Sequence, residues 1–559
     1  MHIVLQKTAG GAVEATTLND ADSPETGAGP VERIPLGDLA RFVREHEPRG
    51  PRWVWSDTRA WYPALLAAGV RVERCVDLRL CHTILRNSTL SAASILTAAP
   101  ASRWDVSAVE EQPAAAAALF ELDQGDDGRE PDALVEFRSQ QDAVEGSPEP
   151  ARLRLLLAAE SAGALIAAEM RFAGLPYSAR LHDDLLTAML GPRPRYGRPA
   201  ELETLVAELR RLLGSPDLNP DSPPELLKAL HRAGILATST RSWELRKIEH
   251  PVIPPLLRYK KLSRLLSANG WAWLDTWVQD GRFHPDYIPG GVVTGRWATR
   301  GGGALQLPKQ VRGAVVADPG WKLVVADAAQ LEPRILTGLA RDTAMAAAGR
   351  GKDLYEGIVA SGAVEERHQA KVAMLGAMYG ATTGESGRLM PRLMKAYPRA
   401  VRLVEDAARA GERGERVTSR LGRSSPRPGP AWQALQAAAS GPESSAADER
   451  RARSQARDWG RFTRNFVVQA SAAEWALCWM ADLRNRLHAL DPGAGLTASP
   501  HLVYFLHDEV IVHTPAPLAE ATADAVAASA RQAGTLLFHD FPVDFPVTAA
   551  IVDSYADAK

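Results

Sequence analysis

Two aspartates far apart in the chain, Asp327 and Asp508, have the settings that most invite chemistry. Lys322-Leu-Val-Val-Ala326 is a short apolar, β-branched run of the kind that makes a buried strand. From Gln330 onward Leu331, Ile335, Leu336 and Leu339 fall on the inward face of a helix, so Asp327 sits where a core strand ends. A carboxylate there suits two roles: N-cap of the following helix, or an oxygen ligand on rigid backbone for a hard divalent cation. The second aspartate argues for the cation. His507-Asp508-Glu509 interrupts two apolar runs, Leu502-Val-Tyr-Phe-Leu506 and Val510-Ile-Val512, which predicts a tight hairpin with an acidic tip. Acids interrupt such runs at a cost, because a buried unpaired charge is expensive. Side by side, Asp327 and Asp508 could clamp two Mg²⁺ ions, roughly 3.5 to 4 Å apart in two-metal sites, which is phosphoryl-transfer geometry.

Between them lies a helical stretch in which Arg367, Lys371, Leu375 and Tyr379 recur every four residues, with Val372, Ala373 and Gly376 on the opposite side. Two cations one turn apart repel unless an anion lies between them, and a triphosphate would supply it; a solvated helix face is the plain alternative. Gly380 and Gly384 suit the helix end. A later helix repeats the spacing with Arg461, Asn465 and Gln469, neutral amides and a cation suited to minor-groove acceptors that vary little among base pairs. An ordinary amphipathic helix would look the same. From Gly291 to Ala317 there is no acid, while Arg296, Arg300, Lys309 and Arg312 alternate with glycines and Gln306. Residues 450–464 hold six arginines against one aspartate, a second basic track. Around Thr294-Gly295-Arg296 and residues 301–303, glycine would let backbone approach a ligand, or merely make a loop.

The positioning elements follow from the rest of the chain. At 559 residues and 45% hydrophobic content it can bury several cores, and a net charge of −2 excludes a uniformly basic coat without excluding local tracks. No apolar run approaches the roughly 20 residues of a bilayer span and no signal pattern opens the chain, so a cytoplasmic setting without membrane contact is expected. Cys75, Cys81 and Cys478 are too scattered for a disulfide scaffold or a zinc site. Residues 1 to about 118 alternate strand-like runs (1–5, 53–55, 70–76) with the helix-like 58–68, a small α/β domain. Residues 122–150 turn acidic and rich in glycine and proline, the composition of a linker. Helices are expected over 152–173, 201–213 and 256–268, the last with Arg258, Lys260 and Lys261, and 428–447 has the composition of a loosely packed insertion.

Taken together these motifs resemble the family A DNA polymerases, in particular the part of bacterial DNA polymerase I that carries the polymerase and proofreading-like domains. Asp327-Ala-Ala-Gln330-Leu-Glu332-Pro-Arg334 is similar to that family's motif A, residues 367–380 to motif B, and His507-Asp508-Glu509 to motif C. The resemblance runs from about residue 151 to the C-terminus, and no stretch resembles the 5′ nuclease domain of longer relatives. It implies an α+β multidomain right hand behind an α/β, ribonuclease H-like exonuclease-type domain. That gives a degenerate 3′–5′ exonuclease-like domain at 1–118, a linker at 119–150, thumb at 151–290, palm at 291–345 and 449–559, and fingers with an insertion at 346–448. It further implies that Asp327 and Asp508, with the Ala328 carbonyl and Glu509 close by, hold two Mg²⁺ ions, for which Mn²⁺ may substitute. Arg367 and Lys371 would act catalytically on the incoming triphosphate, with Gln330, Tyr355, Leu375 and Tyr379 around the nucleotide and Glu332 crowding the sugar 2′ position. Arg296, Gln306, Arg461, Asn465, Gln469 and His507 would touch DNA. The implied partners are primer-template DNA and dNTPs, for a monomeric enzyme associated with the bacterial nucleoid.

Departures from the family pattern are informative. Leu375 stands where Phe or Tyr is usual, Ala328 and Ala329 replace an aromatic residue and a serine, and Tyr355 replaces a histidine; none removes a metal ligand. A proofreading site with two metals needs four carboxylates. Here the first strand has no Asp-x-Glu, Ala60 falls where an aspartate is expected, no Tyr-x-x-x-Asp precedes the thumb, and Glu121-Leu-Asp123 is misplaced. A vestigial exonuclease fold is expected. A rival reading is a non-catalytic protein that binds DNA structures and keeps the polymerase shape; an active 3′–5′ nuclease is a third.

Overall fold

Alternation along the first strands sets up a three-layer N-terminal domain. In a computed structural model, which describes residues 1–8, 10–18, 30–105, 131–380, 384–441 and 444–558, β1 (His2–Lys7), β2 (Ala12–Leu18), β3 (Val31–Pro35), β4 (Arg52–Trp55) and β5 (Cys75–Asp77) form one sheet in the order β3-β2-β1-β4-β5. The first three are antiparallel, and β4 and β5 run parallel to β1, the ribonuclease H-like arrangement. Ile3, Leu5, Trp53 and Trp55 point to one core with Trp61, Tyr62 and Leu65 of the Thr58–Ala67 helix. Val4 and Val54 point to the other, with Leu78 and Phe137, as period-two alternation requires.

Two expectations change here. The strand over the 70–76 run begins only at its last two residues, as Cys75–Asp77. The backbone before it is engaged by side chains instead: Val72 N–H donates to Tyr62 Oη (3.4 Å), and the carbonyls of Val72 and Glu73 accept from Arg484. Residues 133–145, expected as linker, form a helix capped by Asp132 that buries Ala133, Phe137 and Val144. The glycines and prolines that suggested a linker all fall in its flanks, while Glu136, Asp142 and Glu145 lie within it. Glu121-Leu-Asp123 lies outside the described residues.

The second sheet has the order His501–Leu506, Glu509–Pro515, Trp321–Ala328, Val547–Val552. The first two strands are an antiparallel hairpin that pairs Leu506 with Glu509 across the two residues His507 and Asp508. The Ala446–Leu490 helix, opened by a Ser445/Asp448 capping box, buries Trp475, Trp479, Leu483 and Leu487. Against it packs the Pro150–Ala173 helix, where a Cβ on Gly163 would meet Leu477 at 2.6 Å. Glu169 on that helix accepts from Tyr62 (2.6 Å) and Arg484 (2.6 Å), and Glu160 pairs with Arg423. The Pro150–Ala173 helix therefore belongs to the compact unit of residues 1–173, 286–300 and 324–551, although the sequence places it at the start of the thumb. The expected loose insertion contains a regular helix, Pro430–Ala439, none of whose residues is buried.

The other compact unit comprises residues 174–285, 301–323 and 552–559. It holds the helices Ala200–Leu212 and Ile253–Asn269 and an aromatic cluster of Tyr177, His182, Trp273 and Phe283. Gly301 and Gly302 take left-handed backbone (φ 67° and 60°) against the Trp277 ring, where a Cβ on Gly301 would sit 2.4 Å from Trp277. These glycines admit a tryptophan of this same unit, which is a packing role.

Candidate active site

The end of the Trp321–Ala328 strand is fastened to the hairpin tip by a backbone bond: Ala328 N–H donates to the Asp508 carbonyl at 2.9 Å. Asp327 and Asp508 thus lie at adjoining strand ends, each half-buried, beside buried Ala328 and Glu509. The tip is tight because His507 adopts φ 59° and Asp508 N–H returns to the Leu506 carbonyl (2.8 Å). Partial desolvation and the charge of Arg296 lower the His507 imidazole pKa from its ordinary value, and Glu332 offsets this in part. Behind the tip, Tyr287 Oη donates to the Phe505 carbonyl (2.7 Å) and accepts from Phe505 N–H (3.0 Å).

The Arg367–Tyr379 helix exposes Arg367, Lys371 and Tyr379, half-buries Leu375, and buries Ala373 and Gly376, ending on Gly380 at φ 74°. Gly384 begins the next helix. The expected repulsion between the two cations is partly relieved within the chain, because Asp353 pairs with Arg367 (2.7 Å) and holds it over the Tyr355 ring, 5.5 Å from its centre. Asp353 also accepts from Gln330 Nε2 (3.0 Å) and caps the Leu354–Ala360 helix, and hydrogen bonds from Arg367 and this cap keep its carboxyl below the usual range despite partial burial. Among the described residues no carboxylate pairs with Lys371.

Glu332 is gripped from two sides, by Arg296 and by Tyr379 Oη (2.9 Å). Gln469 Nε2 approaches the same hydroxyl at 3.5 Å, while Arg461 pairs with Asp458 and Asn465 is half-buried with its Oδ1 enclosed. Gly295, at φ 80°, makes room for Arg423. Gln306 is exposed in the other compact unit.

Arg334 is the important residue not singled out from sequence. Only 2% exposed, it donates to the carbonyls of Ala329 (3.1 Å), Gly349 (3.1 Å) and Lys352 (2.7 Å) and pairs with Asp544. Burial lowers its pKa and Asp544 restores part of the loss. The available signal was an arginine between Leu331 and Ile335 on an apolar helix face; its partner, 210 residues away, leaves none.

A ribonuclease H-like domain joined to a sheet with paired aspartates at its strand ends is the fold of a right-hand polymerase with an exonuclease-type domain. The family description "DNA polymerase family A" matches residues 198–557, and the chain belongs to that family. Similar relatives include the thermostable DNA polymerase I of Thermus filiformis, 25% identical over 394 residues (63% of this chain, 43% of the relative). The DNA polymerase I of Chloroflexus aurantiacus is 30% identical over 170 residues (28% of this chain, 18% of the relative). The chain spans about two fifths of the length of the Thermus relatives. In fold it is similar to the POL domain of Pol1 from M. smegmatis in complex with DNA primer-template and dNTP, with a TM-score of 0.69 and 17% identity, covering 100% of this chain and 96% of that one. Among the described residues no helix is long and apolar enough to cross a membrane.

Proposed function

We propose that this chain is a template-directed DNA polymerase that adds deoxynucleotides to a primer 3′-hydroxyl, in gap filling during repair or replication. The observation that carries the reading is the Ala328–Asp508 backbone bond, which fixes Asp327 and Asp508 at adjoining strand ends. The donor set suits magnesium: two carboxylates and the Ala328 carbonyl are hard oxygens, and Mg²⁺ is commonly held by one or two carboxylates completed by substrate phosphates. When bound, two such ions activate the primer hydroxyl and stabilise charge at the transferring phosphoryl group.

The remaining work falls to the chain. Arg367, held by Asp353, and exposed Lys371 bind the triphosphate and favour charge that develops on pyrophosphate. Glu332, held by Arg296 and Tyr379, occupies the space a ribose 2′-hydroxyl would need. Tyr379, Gln469, Asn465, Arg461 and His507 bind the nascent pair and the primer-template.

The N-terminal domain is read as non-catalytic. β1 carries no acid, Ala60 stands in the Thr58–Ala67 helix, and the nearby acids are spent as caps: Asp57 accepts from Arg59 N–H (2.8 Å), and Asp77 from Thr58 (2.8 Å) and Leu80 (3.0 Å) N–H. Primer extension with dNTPs, with rNTPs and with no nucleotide tests both statements. Extension lost in Asp508→Ala, and no shortening of a mismatched primer without nucleotides, are expected; extension-free wild type or net shortening would overturn them.

A further inference from the structure

The exonuclease-like sheet has a second end. The strand ends that carry Asp57 and Asp77 face one way; at the opposite ends, where β1, β4 and β5 begin, a cavity of about 440 Å³ opens against the Ala133–Glu145 and Pro150–Ala173 helices. Arg52 lines it from β4, Arg74 from the residue before β5, and Arg154 from the first turns of the Pro150–Ala173 helix. Among the described residues no carboxylate lines it. Among the described residues neither Arg52 nor Arg154 has an acidic partner, and Arg74 gives its guanidinium to the Gly50 carbonyl. Burial and the neighbouring charge of Arg74 push the Arg52 guanidinium below its ordinary pKa, and the charge of Glu73 offsets them only in part. Phe137 and Leu157 belong to the cavity's apolar lining, the His2 ring packs on Phe137 (5.1 Å between centroids), and Gln140 and Gln141 add polar groups.

We propose that this cavity binds a small phosphate-bearing molecule of mononucleotide size, with its phosphate among Arg52, Arg74 and Arg154 and its ring body on the Phe137–Leu157 wall. Arginine favours phosphate because its planar fork donates two parallel hydrogen bonds. The volume falls within the roughly 300–1,000 Å³ of small-molecule sites, which are typically apolar with a few convergent polar groups. Nothing here depends on polymerase activity, and the site is separate from the strand ends at which exonuclease chemistry would occur.

Titration calorimetry on the full chain tests it with three probes: a nucleoside 5′-monophosphate, the parent nucleoside and inorganic phosphate. Saturable binding of the monophosphate is expected, with phosphate weaker and the nucleoside inert. Arg52→Gln and Arg154→Gln should each weaken the monophosphate about tenfold, the scale of one lost hydrogen bond to a charged group. Lys371→Ala, which weakens the other expected nucleotide site, should leave that binding unchanged. Arg154 is exposed, so its variant serves if Arg52→Gln fails to fold. Absence of monophosphate binding, equal binding of the uncharged nucleoside or of inorganic phosphate, or loss in Lys371→Ala with retention in Arg154→Gln would each overturn the proposal.

Discussion

Glu332 is held rather than merely present. A carboxylate fixed by Arg296 on one side and Tyr379 Oη on the other has little freedom to swing away from a bulkier sugar, and rigid support of this kind is what converts a contact into discrimination. Glu332→Ala should therefore raise ribonucleotide incorporation relative to deoxyribonucleotide by at least about tenfold while deoxyribonucleotide extension persists. Tyr379→Phe, which removes one of the two supports, should raise it by less. Competition between rNTP and dNTP at a single templated position reads both, and an unchanged ratio in Glu332→Ala would remove the residue from sugar selection. Lys371 stands apart from its neighbour, since Arg367 is pre-paired with Asp353. Lys371→Ala is expected to raise the KM for dNTP about tenfold or more, on the scale of a lost charge-assisted hydrogen bond, in steady-state extension.

At the scale of elements, the turn that presents Asp327 depends on one buried guanidinium. Arg334 ties the Ala329 carbonyl to those of Gly349 and Lys352 and pairs with Asp544. Arg334→Ala should cost about 3 kcal/mol or more in denaturant unfolding, because it leaves several acceptors and Asp544 without a donor. Arg334→Lys should recover little, since a single ammonium cannot serve so many directions. The loop at residues 419–423 is likewise held by Glu474 on the long helix, which accepts from Ser419 Oγ and from Leu421 N–H (2.8 Å). Burial pushes the Glu474 carboxyl up to about 7 from its ordinary 4.5. Its folded state thus keeps a proton that the unfolded chain releases: the contribution is fully present below about pH 4.5 and is lost as pH rises through 7, on the order of 3 kcal/mol. Wild type should lose more stability than Glu474→Gln between pH 5 and pH 8; parallel pH profiles would contradict this. These elements also mark what the sequence discloses. The strand before Asp327, the hairpin and the four-residue stripe were legible because period and apolar runs are local signals. The pairing of Arg334 with Asp544 and the diversion of the Val72 and Glu73 carbonyls to Arg484 join segments far apart in the chain, and the Asp353 clamp on Arg367 joins the starts of two successive helices. No spacing rule reports such partners.

Across the first compact unit, the N-terminal sheet is bolted to the long helix rather than appended to it. Glu169 accepts from Tyr62 and Arg484, and Arg484 also caps the Val72 and Glu73 carbonyls, all within that unit. Glu169→Gln leaves a buried guanidinium without its counter-charge and is expected to cost about 3–5 kcal/mol. The loss should appear in a calorimetric transition that the exonuclease-like domain and the palm share, and separate transitions for the two would contradict that coupling. If the exonuclease-like domain is non-catalytic, as proposed, its described part still serves as support for the long helix and as the wall of the arginine-lined cavity. Single-turnover primer extension by Asp327→Ala, Asp508→Ala and the double variant tests most directly whether Asp327 and Asp508 act as one ligand pair. Groups that act as a unit are non-additive, so each single change should cost about a thousandfold or more and the double no more than the worse single. Near wild-type turnover in either single variant, or losses that multiply in the double, would contradict that pairing.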